Sequence, residues 1–246
     1  MATYRLDIAY DGTEFSGWAR QRGQRTVQGE IEGALKQLVQ RRLPLTAAGR
    51  TDAGVHASAQ VASFELPADC PAPEAMLRAL NGLTAEDIAI NAVGEVTPGF
   101  DARRDARARR YRFRVMTGPA PDPLQRRYAI HQPGRLERAA LDACASLLPG
   151  THDFTAFTPT ETEHVRFERR VLGAAWSDES EWMLRFEIEA DAFMRGMVRA
   201  LLGTMLEVGA GRRGIEGFAE LLEGRPRSQG GETAPPQGLT LIAVRY

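Results

Sequence analysis

A guanidinium and a carboxylate stand two residues apart between glycines in Gly49-Arg50-Thr51-Asp52-Ala53-Gly54-Val55-His56-Ala57. Glycine adopts backbone angles that other residues resist, so such a loop can hold a side chain out from a rigid frame. A carboxylate beside a cation is favoured in its charged form, so Arg50 can hold Asp52 ionised. The same composition also suits an ordinary turn whose aspartate accepts backbone N–H bonds, and local composition alone favours the turn. Two further side chains could join the chemistry. Tyr111 lies by alternation on the same strand face as Phe113 and Val115, either as a site residue or as simple core. Arg199 sits in an apolar helical run, 193–208, where a charge needs a partner or a route to solvent. Arg195, four residues earlier, could share its face.

These side chains need elements to hold them. Tyr4, Leu6, Ile8 and Tyr10 alternate with Arg5, Asp7 and Ala9, which predicts a strand over 4–10 with one covered face. Asp11-Gly12-Thr13 ends it. Phe15 and Trp18 follow in a loop, either as core anchors or as rings that stack on bases. Thr26 predicts a helix N-cap, with Val27, Ile31, Ala34, Leu35 and Leu38 at helical spacing up to Arg41-Arg42. Segments 43–48 and 60–66 read as strands, 74–80 as a helix closed by Asn81-Gly82, and 88–96 as a strand. The order strand–helix–strand–strand–helix–strand resembles a split βαβ, ferredoxin-like unit. A polar, Arg-rich segment then places a boundary, giving halves 1–104 and 105–246. The second half reads as a strand over 108–116, a helix over 136–148, a loop over 151–162, and paired strands over 169–177 and 182–190. Helices over 193–208 and 215–222 and a last strand over 239–246 complete it. The fold class is α+β, with two similar halves.

Composition narrows the function classes. With 246 residues, 43% apolar and 26% charged, the chain has the make-up of a soluble globular protein. No apolar run approaches a membrane span, and Arg5 and Asp7 interrupt the N-terminus before a signal-peptide core could form, so a cytoplasmic protein without a membrane partner is expected. Cys70 and Cys144 form no CxxC pair, and His56, His131, His152 and His164 are scattered, so no metal is expected. The net charge of −1 conceals seven arginines between 103 and 114 (103, 104, 107, 109, 110, 112 and 114) against one acid, Asp105. Acids concentrate in 161–168 and 179–191. A near-neutral protein with one basic stretch can still bind a polyanion through that face.

The loop from Gly49 to His56 resembles the signature of the tRNA pseudouridine synthase A (TruA) family. Asp11-Gly12 with Gly17-Trp18-x-Arg20-Gln21 is similar too, as are Ala108-Arg109-Arg110-Tyr111-Arg112, Ala192-Phe193 with Met197-Val198-Arg199, and Leu206-Glu207-Val208-Gly209. Thr233-Ala234-Pro235 leading to Gly238-Leu239 completes a set in one order over nearly the whole chain. The resemblance implies two ferredoxin-like (split βαβ) halves forming a continuous mixed, mainly antiparallel sheet, with helices on one face and a central active-site cleft. It implies Asp52 as the catalytic nucleophile and Arg50 as its neighbour at the flipped nucleotide. Tyr111 would stack on the target uracil, Arg199 would pair with Asp52, and Leu239 would pack beneath the base. Arg107, Arg109 and Arg110 would hold RNA phosphates. Arg195-Gly196 and Ala200 depart from the family pattern, which often carries histidines and an asparagine there.

The implied reaction converts uridine to pseudouridine at positions 38, 39 and 40 of the tRNA anticodon stem-loop, without a cofactor, in a homodimer. A non-catalytic RNA-binding protein would also explain the basic stretch and the aromatics. A phosphate-binding hydrolase would lack the lysine expected after Gly54 and clustered acids for Mg²⁺.

Overall fold

In the computed structural model the alternating N-terminal segment forms β1 (Ala2–Tyr10), with Tyr4, Leu6, Ile8 and Tyr10 buried and Arg5, Asp7 and Ala9 half-buried. All residues except 68, 69 and 163 are described, so Glu163 of the acidic run 161–168 lies outside them. The chain divides into two units, Met1–Arg107 with Leu241–Tyr246, and Ala108–Thr240.

In the first unit, α1 (Val27–Val39) begins where the cap chemistry demands. The Thr26 side chain accepts the Gly29 N–H, and Val27, Ile31, Ala34 and Leu35 are buried along one face. Two strands follow, β2 (Thr46–Ala47) and β3 (His56–Leu66), then α2 (Pro73–Leu83) and β4 (Ile88–Val96). β1 pairs antiparallel with both β3 and β4, and β2 pairs with β3, so β3 lies between β1 and β2. That order, β4-β1-β3-β2, is the split βαβ arrangement. The strand at 43–48 is shorter than its apolar run suggested. α2 does not stop at Asn81-Gly82. Asn81 instead clasps β4, its amide donating to Ile90 O at 2.9 Å and its Oδ1 accepting Ile90 N–H at 2.9 Å, and the helix closes at Thr84 N–H to Leu80 O.

The last strand, β10 (Leu239–Arg245), returns its end to this unit. Val244 and Tyr246 pack on Ala48, Val61 and Ala102, Tyr246 donates its hydroxyl to Ala102 O at 2.9 Å, and Arg107 N–H donates to Arg245 O at 2.8 Å.

The second unit begins with β5 (Ala108–Met116), whose Tyr111, Phe113 and Val115 are buried while Arg110, Arg112 and Arg114 are half-buried. A two-residue strand, β6 (Ile130–His131), pairs parallel with it. α3 (Arg138–Ser146), β7 (Gly150–Asp153), β8 (Glu168–Ser180) and β9 (Met183–Ala190) lead to α4 (Met197–Gly209) and α5 (Ile215–Leu221). The strand order is β5-β9-β8-β7, every neighbour antiparallel, so the fold is α+β with mainly antiparallel pairing, as the element order indicates. β7 falls where a loop was expected. It is an edge strand of exposed and half-buried residues, so it shows no apolar alternation to read.

α4 supports the segment 231–234 closely. Thr204 Oγ1 accepts the Gly231 N–H at 3.0 Å, Glu207 Oε1 accepts the Glu232 N–H at 3.1 Å, and a Cβ on Gly203 would collide with the Glu232 carbonyl oxygen. Gly203→Ala is therefore expected to lower unfolding stability by about 1–3 kcal/mol through overpacking, read as a shift in the urea midpoint with an unchanged m-value.

Candidate active site

The loop between β2 and β3 is held from both ends by the turn that follows β1. At its entry, Thr51 is buried; its hydroxyl bonds to the Tyr10 hydroxyl at 2.8 Å and its carbonyl accepts the Trp18 N–H at 3.1 Å. The side-chain amide of Gln60, itself fully buried, donates to Gly49 O at 2.8 Å. Past Asp52 the chain turns, Val55 N–H donating to Asp52 O at 3.2 Å, with Gly54 at φ +76° where a side chain would be strained. Gly54 N–H donates to Phe15 O at 3.2 Å.

Two glycines allow this closeness. A Cβ on Gly12 would collide with the Val55 carbonyl oxygen, and one on Gly17, at φ +93°, would lie 2.8 Å from Thr51 O. The result is a loop whose backbone is committed at residues 49, 51, 52, 54 and 55, from which Asp52 projects half-buried and Arg50 exposed. Burial pushes the Tyr10 hydroxyl up to about 12, against the opposing hydrogen bonds to Thr51 and Gln60, so it stays protonated and able to donate.

Phe15 and Trp18 are 3% and 1% exposed and belong to the core, which decides between the two roles open to them. Trp18 packs at 6.0 Å from the Tyr10 ring, and the Arg25 guanidinium lies 4.1 Å over Phe15 while paired with Asp87 at 2.7 Å. These rings anchor the turn that grips the loop; as they stand they are not a stacking platform.

In the second unit, Tyr111 is 7% exposed and stands opposite Ile188 of β9, its ring edge-on to Phe193 at 5.2 Å and 89°. Arg199 occupies the first turn of α4 and is half-buried. Its Nε donates to Ala234 O at 2.8 Å, and Ala234 N–H donates back to Arg199 O at 3.0 Å. That reciprocal pair fixes the stem of the guanidinium. Arg195, which could have shared that face, lies before the helix: Gly196, at φ +69°, caps its start, and Arg195 is exposed. Leu239 is 5% exposed, following a short turn whose Gly238 lies against the Phe113 ring.

The arginine stretch separates into two kinds. Arg103, Arg104 and Arg107 are exposed, the first two with their N–H groups on Asp101 Oδ1 at 2.8 and 2.9 Å. Arg109 is 9% exposed and donates to Asp191 O at 2.8 Å. Arg110, Arg112 and Arg114 pair with Glu189, Glu187 and Glu179 at 2.6, 2.9 and 2.7 Å. β9 sets Glu189 and Glu187 directly opposite Arg110 and Arg112, so much of the basic stretch is answered by the acidic run 179–191. That pairing was invisible without the register. Among the described residues no group of His, Cys, Asp and Glu could hold a metal ion, and no helix is long and apolar enough to cross a membrane.

The sequence model of the family described as tRNA pseudouridine synthase matches residues 8–103 and 144–246. The chain belongs to that family. Its relatives include the tRNA pseudouridine synthase A of Chloroflexus aurantiacus, 44% identical over 250 residues that span 100% of this chain and 89% of that protein. That of Frankia casuarinae is 44% identical over 98% of this chain and 88% of its own, and that of a Geobacillus strain 40% identical over 98% and 97%. The Asp52 loop and α4 both lie in the stretches the family shares, and the enzyme is an isomerase acting on tRNA. Within the family's first stretch, Tyr10→Phe removes the buried bond to Thr51 and is expected to cost about 1 kcal/mol, measured by chemical denaturation.

Proposed function

We propose that this enzyme converts uridine to pseudouridine at positions 38, 39 and 40 of the tRNA anticodon stem-loop, with Asp52 as nucleophile. The observation that carries the reading is the Asp52 loop itself: a half-buried carboxylate projecting from a backbone pinned on both sides, in a chain of this family. The reaction is an isomerisation. The N1–C1′ bond breaks, the freed base turns, and C5 joins C1′; C5 gives up a proton and N1 gains one, so no oxidant, reductant or transferred group is needed. A carboxylate suffices to open the glycosidic bond by covalent catalysis.

The target nucleotide must leave its stack, and an aromatic face offsets the lost stacking. Tyr111 has that role, Leu239 supplies an apolar contact to the base, and Arg50 and Arg199 supply cations at the nucleotide. The bond from Arg199 Nε to Ala234 supports its role, because a guanidinium held at its stem loses less freedom when it engages a substrate. Of the arginines expected on the RNA backbone, Arg107 is exposed and takes phosphate contacts together with Arg103 and Arg104. Arg109 and Arg110 already hold intramolecular partners, Asp191 O and Glu189, and would reach phosphate only beside them. The enzyme works in the cytoplasm as a homodimer, a reading supported by resemblance to the family.

Asp52→Asn is expected to lower turnover of unmodified tRNA by on the order of a thousand-fold or more while leaving the tRNA dissociation constant within a few-fold. Turnover near the parent rate would remove Asp52 from the mechanism. The double change Arg104→Ala with Arg107→Ala should weaken tRNA binding and reduce the log–log salt slope by about one for each phosphate that is no longer neutralised. Arg112→Ala, whose guanidinium pairs with Glu187, should leave that slope unchanged.

A further inference from the structure

His56, the first residue of β3, is 3% exposed and has no part in the chemistry assigned above. Its Nδ1 lies 3.0 Å from the Gly12 amide nitrogen and 3.1 Å from Asp11 Oδ1. One ring nitrogen cannot accept from Gly12 and donate to Asp11 at the same time. Asp11 Oδ1 already accepts from the Thr13 N–H at 3.0 Å and the Thr13 hydroxyl at 2.5 Å. The Gly12 N–H, by contrast, is a buried backbone donor that Nδ1 satisfies, and leaving such a donor unmet is costly. The balance favours the tautomer with its proton on Nε2 and Nδ1 turned to Gly12.

The position of this bond gives it consequence. Gly12 is pressed onto the Val55 peptide so closely that a Cβ would collide with its carbonyl oxygen. Val55 is joined to Asp52 by the turn bond at 3.2 Å. The Asp11–Thr13 turn therefore sits against the exit of the loop, and the imidazole ties it there, while Tyr10 and Trp18 hold the entry at Thr51.

We propose that His56 is a positioning residue of the reaction: by accepting the Gly12 N–H it fixes the exit of the loop and, through it, the direction of the Asp52 carboxylate. The proposal rests on Asp52 being the nucleophile. A misplaced reacting group lowers the rate of the chemical step more than it weakens binding, because the remaining contacts to tRNA are untouched.

His56→Phe keeps the ring and removes the acceptor, whereas His56→Asn places an amide oxygen near the position of Nδ1. Steady-state turnover of unmodified tRNA is measured for both, beside thermal unfolding. The Phe variant should lose on the order of ten- to a hundred-fold in kcat with KM within about two-fold, and the Asn variant should recover most of the loss. Parent-level kcat in the Phe variant, a loss confined to KM, or no recovery with Asn would overturn the proposal. A readout that needs no variant is the long-range ¹⁵N–¹H correlation of the His56 ring in the native enzyme. It should show the proton on Nε2, and a proton on Nδ1 would overturn the proposal even if the Phe variant does not fold. Asp52→Asn, assayed in parallel, separates the two readings. If it remains active the nucleophile assignment falls, whereas if it is dead while His56→Phe turns over at the parent kcat, the positioning role alone falls.

Discussion

One constraint underlies the site: backbone must approach backbone at the Asp52 loop more closely than any side chain would allow. Gly12 lies on the Val55 carbonyl and Gly17 on the Thr51 carbonyl. Around those contacts the polar groups are answered in sequence, Thr51 by Tyr10 and Trp18, Gly49 by Gln60, Gly54 by Phe15 and Gly12 by His56. The buried Phe15 and Trp18 rings hold the turn against the sheet, and β1 carries the turn. A loop so held gives the Asp52 side chain a fixed backbone origin, which is what the proposed role as nucleophile requires.

The second unit applies the same economy to a cation. Arg199 shares both its backbone carbonyl and its Nε with Ala234, and α4 grips the preceding residues through Thr204, Glu207 and the bare face of Gly203. An arginine at the start of an apolar helix is otherwise a liability, since its charge must be met or carried to water. Here its stem is met by a backbone carbonyl.

Much of the fold was legible because local chemistry and burial agreed. The alternation at Tyr4–Tyr10 and at Tyr111–Val115 became buried faces, and Thr26 capped the helix its side chain announced. Where the structure departs from the local pattern, long-range partners override local signals. Asn81-Gly82 looked like a helix stop, yet the Asn81 amide was needed by Ile90 of β4. β7 leaves no mark in the sequence pattern because an exposed edge strand carries no alternation. Arg195 looked like a neighbour of Arg199 until Gly196 set the start of the helix. The arginine run looked like a single anionic-ligand face, but its register with β9 places glutamates opposite Arg110 and Arg112. At the site, the loop's residue types could be read directly. Its clamps could not, because Tyr10, Gly12 and Trp18 belong to a segment more than thirty residues earlier in the chain.

The central claim, that the Asp52 carboxylate forms pseudouridine in the anticodon stem-loop, is tested most directly in cells. Pseudouridine is mapped at single-nucleotide resolution in tRNA from cells lacking the gene and complemented with either the parent enzyme or Asp52→Asn. The expected result is that positions 38, 39 and 40 are unmodified without the gene, restored by the parent and left as uridine by the Asn variant. Restoration by the Asn variant, or modification by the parent only at other positions, would contradict the claim.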